Sequence, residues 1–190
     1  MNPDNEKRCG WVKLSDPLYV EYHDKEWGRE LHDERALFEL FSLETQSSGL
    51  SWLTILKKRE GYRRQFENFD LDKVAHYTQE DMDRILQSGE VIKSRPKIET
   101  IIHNAKAFLQ IKEEFGTIDS YFWEKIGYKS RFNNVVDYKT ADTKSQLSDS
   151  IAKDLKRRGF KYVGSITVYA FMQACGMIND HENDCKNKNS

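Results

Sequence analysis

Apolar side chains recur every third or fourth position through most of this 190-residue chain, and few stretches alternate as a half-buried strand would. That periodicity confines the chain to helix-on-helix packing. From Lys97 to Phe115 the apolar positions are Ile98, Ile101, Ile102, Ala105, Phe108, Leu109 and Phe115, with Pro96 where a first helical turn tolerates it. Thr78 and Asp81 make a capping-box start for a helix over 79–87, and Gly89 is a natural stop. Leu147, Ile151 and Leu155 predict a helix that closes at Gly159. Val163, Thr167, Ala170, Phe171 and Ala174 predict the buried face of the next. Asp33 can cap a helix over 34–45 whose apolar face is Leu37, Leu40 and Phe41. Ser51 can start another, carrying Trp52, Ile55, Leu56, Tyr62 and Phe66. Residues 127–144 read as irregular, and the polar tail after Cys185 as disordered. The expected fold is all-α, one domain over residues 1–190 built as two helical lobes.

Composition excludes several classes. Hydrophobic residues at 38%, charged at 32% and aromatic at 12% describe a globular chain rather than a disordered one. No apolar run approaches the ~20 residues of a membrane span. The start MNPDNEKRCGW has no apolar core, so the chain is expected to remain cytoplasmic. Three cysteines, an odd count, argue against a disulfide framework and leave free thiols or metal ligands. A net charge of −1 rules out a bulk polycation but leaves room for a local phosphate-binding patch.

Glu44 stands out because it shares the stripe of Leu37, Leu40 and Phe41, where an unpaired charge is costly. It either faces a cavity or turns outward before the Ser47-Ser48-Gly49 break. The short 47–50 connection can fold the Trp52 ring over the end of that helix, and a carboxylate beside an aromatic wall suits a cationic or amine-bearing base. Trp11, Trp27 and Trp52, with Tyr19 and Tyr22, all fall in the first 52 residues, as core rings or as a pocket.

Cys9 and His23 near one end, and His181-x-x-x-Cys185 near the other, offer a Cys2His2 set suited to tetrahedral zinc. The alternative is two unpaired cysteines and surface histidines. Cys175 reads as a small buried residue, and His32, His76 and His103 as loop or exposed-face residues. Between two predicted helices, Arg158-Gly159-Phe160-Lys161-Tyr162-Val163-Gly164-Ser165 forms a glycine-bounded turn of the helix-hairpin-helix kind, whose amides can face a phosphate. Five basic residues and one acidic one between Lys153 and Lys161 give it a local charge of +4. The run Lys57-Lys58-Arg59, with Arg63 and Arg64, reads as a solvated helix face.

RCGW at 8–11, DPLYVEYHDKEWG at 16–28, GLSWLTILKKRE at 49–60, RGFKYVG at 158–164 and MQACGMINDH running to Cys185 occur in this order. Together they resemble the bacterial 3-methyladenine DNA glycosylase I family, within the helix-hairpin-helix glycosylase superfamily. The resemblance implies structural zinc on Cys9, His23, His181 and Cys185. It implies base recognition by Glu44 with Tyr22, Trp27 and Trp52, and with Trp11 and Tyr19 nearby. Gly49, Leu50 and Ser51 would be the wedge that fills the gap left by an extruded nucleotide, and Lys161, Gly164 and Ser165 would meet the DNA backbone. The implied reaction is excision of 3-methyladenine from alkylated double-stranded DNA without strand cleavage, by a monomer with no membrane partner. The sequence departs from the family around the glutamate, where Thr45, Ser47 and Ser48 add hydroxyls that would either narrow the pocket or change its hydrogen bonding. An extra residue between Cys9 and His23 falls in the loop at 13–15. The superfamily's aspartate, about twenty residues past the hairpin, would fall at Asp184, but that residue stands beside Cys185 and the family resembled does not rely on it.

Overall fold

The structure, a computed structural model, describes residues 7–189. Its helices in chain order are α1 (Pro17–Lys25), α2 (Glu34–Gln46), α3 (Trp52–Leu56), α4 (Arg59–Gln65), α5 (Leu71–Ala75), α6 (Gln79–Ser88), α7 (Arg95–Phe115), α8 (Ile118–Trp123), α9 (Gln146–Arg157) and α10 (Ser165–Ala174). Two-residue strands β1 (Arg131–Phe132) and β2 (Ile178–Asn179) pair in parallel. The protein is thus mostly helical, as expected. No helix among the described residues is long and apolar enough to cross a membrane.

Local chemistry sets the ends of these helices. Asp33 accepts a hydrogen bond from the Ala36 amide at 2.8 Å and opens α2. Thr78 and Asp81 form the reciprocal capping box at the start of α6, and Gly89 ends that helix at φ +69°. The helix expected to run on from Ser51 breaks into α3 and α4. At Lys58 the amide turns back to Ile55 in a tight i→i−3 bond, and α4 sets off in a new direction. Gly61 in α4 then lies against the Glu90 backbone, an approach that leaves no room for a Cβ. The short α8 is stopped at its start by Thr117, whose hydroxyl accepts from the Ser120 amide at 2.8 Å.

Helix α2 is buried from Leu37 to Gln46 except at Leu40, and it packs against α7, α8 and α10. A ring cluster fills that junction, with Phe41 and Phe108 centroids 5.0 Å apart, Phe108 and Phe160 4.7 Å, and Phe122 and Phe171 4.8 Å. Each such ring, fully buried, stabilises the fold by about 1.5–3 kcal/mol. The core runs continuously through both groups of helices, and a smaller cluster of Cys9, Val12 and Cys185 sits at the joined ends of the chain. On α10 the core face is Val168, Phe171 and Met172 rather than the expected Thr167 and Ala170, which are only part-buried.

The tail expected to be disordered is held through Lys188. The Lys186 amide donates to the Lys7 carbonyl, the buried Asn187 amide side chain to the His23 carbonyl at 2.9 Å, and Lys188 Nζ to the His181 carbonyl at 2.9 Å. Ser190 lies outside the described residues. The 127–144 segment is irregular but anchored, since Val135 pairs with Glu182 and the Glu182 carboxylate accepts from the Gly10 and Tyr138 amides at 2.8 and 2.9 Å.

Gly176, at φ +79°, closes α10 against the Arg29–Glu30 backbone so tightly that a Cβ would overlap it. Strain of this kind costs about 1–3 kcal/mol before the overlap is counted. Gly176→Ala is therefore expected to lower Tm by roughly 5–10 °C, at about 2–4 °C per kcal/mol for a chain of this size. Thermal denaturation followed by circular dichroism checks it.

Candidate active site and metal centre

Four donors from the two ends of the chain meet in one buried point. Cys9, His23 at the end of α1, His181 and Cys185 present ligand atoms that all lie within 4.8 Å of one another. Cys9 Sγ is 3.4 Å from His181 Nδ1, and Cys185 Sγ is 3.4 Å from His23 Nε2 and 3.5 Å from His181 Nδ1. A tetrahedron with metal–sulfur bonds of ~2.3 Å and metal–nitrogen bonds of ~2.0 Å has sulfur–nitrogen edges of about 3.5 Å. The outer shell fixes which nitrogen faces the centre. His23 Nδ1 is held by Asp24 at 2.8 Å, and Asp24 in turn by Arg8 at 2.7 Å and Lys186 at 2.8 Å. His181 Nε2 sits 3.1 Å from the Trp27 carbonyl, which leaves Nδ1 for a ligand bond. The Glu182 amide donates to Cys9 Sγ at 3.3 Å. This set of side chains can hold a metal ion. Cys9, Cys175 and Cys185 are all free thiols, and Cys175 is buried as expected.

The cluster also fixes the wall of a cavity. Trp27 packs edge-on against His181, with centroids 4.6 Å apart, and edge-on against Trp11 at 5.0 Å. Gly28 adopts φ +76° beneath His181, where a Cβ would lie 2.9 Å from Nε2. Trp11 meets Tyr19 at 5.1 Å, and Tyr22 meets Trp52 at 5.4 Å. All five expected aromatics and Glu44 line one cavity of about 360 Å³. Ser47, Tyr138, Ile166, Tyr169, Gln173 and Asp180 complete most of the remaining wall.

Glu44 does face this cavity. Its side chain is 6% exposed, and no hydrogen bond or ion pair reaches its carboxyl group among the described residues. Burial alone pushes its pKa up to about 8. Glu39, five residues earlier on the same helix and equally buried, is paired with Arg35 at 2.8 Å and Arg63 at 2.6 Å. The same helix therefore carries one carboxylate that is neutralised and one left without a partner, aimed at an aromatic chamber.

The hydroxyls beside Glu44 separate by role. Thr45 is buried away from the cavity and donates to the Ser42 carbonyl at 2.6 Å. Ser48 is exposed, and only Ser47, which donates to the Glu44 carbonyl at 2.8 Å, lines the cavity. Two of the three hydroxyls therefore do not narrow the pocket. The 47–50 turn is held by Lys97, whose ammonium donates to the Gln46 and Ser48 carbonyls at 2.6 and 2.8 Å. Gly49 supplies φ +76°, Leu50 stands 40% exposed at the tip, and Ser51 caps α3.

Helix α9, a glycine-bounded turn and α10 stand as the sequence suggests, with Gly159 at φ +90° and Gly164 at the N-cap of α10. The Lys161 amide and carbonyl both pair with the Asn104 side chain, at 2.8 and 3.1 Å, and His103 holds the Gly159 carbonyl at 2.7 Å. His103 is exposed, as the sequence suggests, but neither its hold on the turn nor that of Asn104 is legible there. The local charge is smaller than +4 in effect. Arg158 is bound by Glu114 at 2.6 Å and Asp154 at 2.9 Å, and Arg157 also pairs with Asp154. Ser165 spends its hydroxyl on Ser148 at 2.8 Å. Asp184 lies outside the site in an exposed pair with Lys7, and the aspartates that line the cavity are Asp142 and Asp180. The helical spacing of Ile166, Tyr169 or Ala170, and Gln173 is the signal that marks the α10 wall.

A family model described as methyladenine glycosylase matches residues 11–188. The chain is 44% identical to DNA-3-methyladenine glycosylase 1 of Escherichia coli over 179 residues, 94% of this chain and 95% of that one. A crystal structure of 3-methyladenine DNA glycosylase I superposes with a TM-score of 0.91 at 43% identity, covering 95% of this chain and 98% of the other. A tyrosine-to-phenylalanine variant of such an enzyme, solved in complex with 3-methyladenine, superposes with a TM-score of 0.89 at 37% identity, covering 92% and 94%.

The buried Glu44 carries a stability cost with a defined sign. Its folded pKa of about 8 lies above the ordinary 4.5, so both folded and unfolded states hold the proton at lower pH. As pH rises between these values the unfolded chain ionises first, and folded stability is lost. Glu44→Gln cannot ionise and is expected to melt several degrees above wild type near pH 9, with the gap closing towards pH 5. Parallel melting curves across pH check this, and equal curves would show that Glu44 is not desolvated.

Proposed function

The chain belongs to the methyladenine glycosylase family, and on that premise we propose that it excises 3-methyladenine from alkylated double-stranded DNA by hydrolysing the N-glycosidic bond, without cutting the strand. The observation that carries this reading is the unpartnered Glu44 in its aromatic cavity. A cation is the ligand such a site lacks. Methylation at N3 makes the adenine cationic while it is still attached to the sugar, so it departs neutral and needs no proton from the protein. Water supplies the oxygen that forms the new bond to the sugar carbon, the bond from that carbon to the base breaks, and the water's proton passes to solvent.

Each group has a role in this reading. Glu44 ionises as the cationic base enters, accepts its N–H hydrogen bonds and stabilises its charge, an interaction strengthened by the dry surroundings. Trp52 and Trp27 stack on the ring, Tyr22 orients it, and Trp11 and Tyr19 back the wall. Among the described residues no lysine lines the cavity, in keeping with a monofunctional reaction with no Schiff base. Flipping costs a few kcal/mol. Leu50, exposed at the tip of the 49–51 turn, is placed to fill the gap in the duplex. The α9–turn–α10 unit serves as a helix-hairpin-helix, with Lys161 and the amides from Gly164 and Ser165 facing phosphate. We read the chain as one domain acting as a cytoplasmic monomer.

Cys9, His23, His181 and Cys185 would hold zinc. Two thiolates and two neutral imidazoles fill a tetrahedral shell, so the ion would be structural, clamping the two ends of the chain. Metal analysis of the purified protein is expected to give one zinc per chain, and Cys185→Ala to lose it with a large fall in Tm. A metal-free wild type that melts at the same temperature as the loaded protein would refute the assignment.

The decisive assay is release of free 3-methyladenine from methylated duplex DNA. Wild type is expected to release it. Glu44→Gln, which loses a charge-assisted interaction worth about 1.5–3 kcal/mol, is expected to be about 10–100-fold slower. Its affinity for undamaged duplex should change by less than about threefold, because that affinity is set by phosphate contacts. Failure of the folded, zinc-loaded wild type to release the base would overturn the proposal and favour a DNA-binding module without catalysis.

A further inference from the structure

Helix α7 carries two polar side chains that each hold a separate loop by its backbone. Lys97, in the first turn, donates from Nζ to the Gln46 and Ser48 carbonyls at 2.6 and 2.8 Å, and the Gln46 side chain donates back to the Lys97 carbonyl at 3.0 Å. Both carbonyls stand at the C-terminal end of α2, where helical partners run out and a cation meets the negative end of the helix. No carboxylate pairs with Lys97 among the described residues, so both side-chain contacts of its ammonium go to this turn. Gln46 is itself buried and is anchored by the Tyr62 hydroxyl at 3.2 Å. Two turns further along α7, Asn104 is fully buried. Its Oδ1 accepts from the Lys161 amide at 2.8 Å, and its Nδ2 donates to the Lys161 carbonyl at 3.1 Å. The next hairpin residue, Tyr162, is a non-glycine at φ +56°, a conformation that persists only where neighbours hold it. Seven positions along a helix return to nearly the same face about 10 Å further on. Between these two anchors α7 is fixed in the core by Ile98, Ile101, Ile102 and Ala105.

We infer that α7 is the common support of the two loops that meet DNA, with Lys97 positioning the 47–50 turn behind Leu50 and Asn104 positioning the 159–164 hairpin. This rests on the glycosylase reading and adds how its wedge and its phosphate grip are kept in register. A stiff duplex gripped at one loop presents its gap at a fixed distance, so the wedge must already stand there when the nucleotide leaves the stack. A turn free to swing would be pushed aside, and the nucleotide would fall back. Neither Lys97 nor Asn104 lines the aromatic cavity, so they act on extrusion and grip and not on how the free base binds.

The test uses full-length, zinc-loaded protein and three readouts. These are single-turnover release of 3-methyladenine from methylated duplex DNA, affinity for undamaged duplex, and affinity for free 3-methyladenine by quenching of tryptophan fluorescence. Lys97→Met keeps the length of the side chain and loses the cation. It is expected to slow release about 10–100-fold, the scale of a small misplacement remote from the reacting atoms, while both affinities stay within about twofold. Lys97→Arg, which can still donate to both carbonyls, is expected to recover most of that rate. Asn104→Ala is expected to weaken binding of undamaged duplex about tenfold and to leave free-base affinity unchanged, because the hairpin is no longer preorganised. Should that variant fail to fold, Asn104→Asp, which keeps the acceptor for the Lys161 amide, carries the same test with a fall of about threefold. A general loosening of the fold would lower free-base affinity together with the rate and would overturn the inference. So would normal wild-type release with an equal rate in Lys97→Met, or unchanged duplex affinity in the Asn104 variants. No release by wild type would overturn the proposed function and this inference with it.

Discussion

The joining of the two ends of the chain at Cys9, His23, His181 and Cys185 is the constraint from which the rest of the site follows. His181 fixes the path of the chain at Trp27 and Gly28 through one hydrogen bond and one close approach. Trp27 then sets Trp11, and α1, which carries His23 in its last turn, also carries Tyr19 and Tyr22 into the cavity. Contacts between residues more than 150 positions apart cost loop-closure entropy that grows only slowly with separation, so a strong local interaction can hold them. A metal held by these four buried side chains would be such an interaction, and Asp24, paired with Arg8 and Lys186, orients His23 among them.

Within that frame, α2 shows how the fold accommodates function against its own stability. Glu39 and Glu44 are equally excluded from water, yet only Glu39 is given arginines. An arginine beside Glu44 would stabilise the folded protein and fill the place of the cationic ligand. Buried and unpaired, Glu44 has its pKa pushed up to about 8, which favours the protonated form at neutral pH. The large ring cluster of α2, α7, α8 and α10 supplies the apolar burial that offsets this cost.

Much of this was legible from the residues. Caps at Asp33 and Thr78 and the stop at Gly89 are short-range chemistry, and they read correctly. The stripe of Leu37, Leu40 and Phe41 placed Glu44 inside, although periodicity could not separate a cavity from an outward turn. What the sequence concealed depends on distant partners. Glu39 lies off that stripe and is buried because Arg63 comes from α4 to meet it. The continuous helix expected after Ser51 breaks at Lys58, and Gly61 in α4 then lies against the Glu90 backbone. Asp184 has the offset expected of a superfamily aspartate but points to Lys7, while Asp180, four residues earlier, gathers three donors. The tail reads as polar and free because its partners, the carbonyls of Lys7, His23 and His181, are invisible to composition.

The proposed reaction asks the site to distinguish a rare lesion from a large excess of normal bases, and aromatic stacking alone would not do so. Every purine offers a face to Trp52 and Trp27. The hairpin cannot help either, since two of its five cations are neutralised internally and phosphate contacts carry no information about the base. On the proposed reading, discrimination would fall on Glu44. A neutral adenine entering the cavity meets a neutral carboxyl and gains little in return for the cost of flipping. A methylated, cationic adenine would favour the ionised form of Glu44, whose proton passes to solvent, and would form an ion pair in a medium where charges are weakly screened. Burial has raised the pKa of Glu44 to about 8, so on the proposed reading the interaction that rewards the lesion would be withheld from the undamaged base.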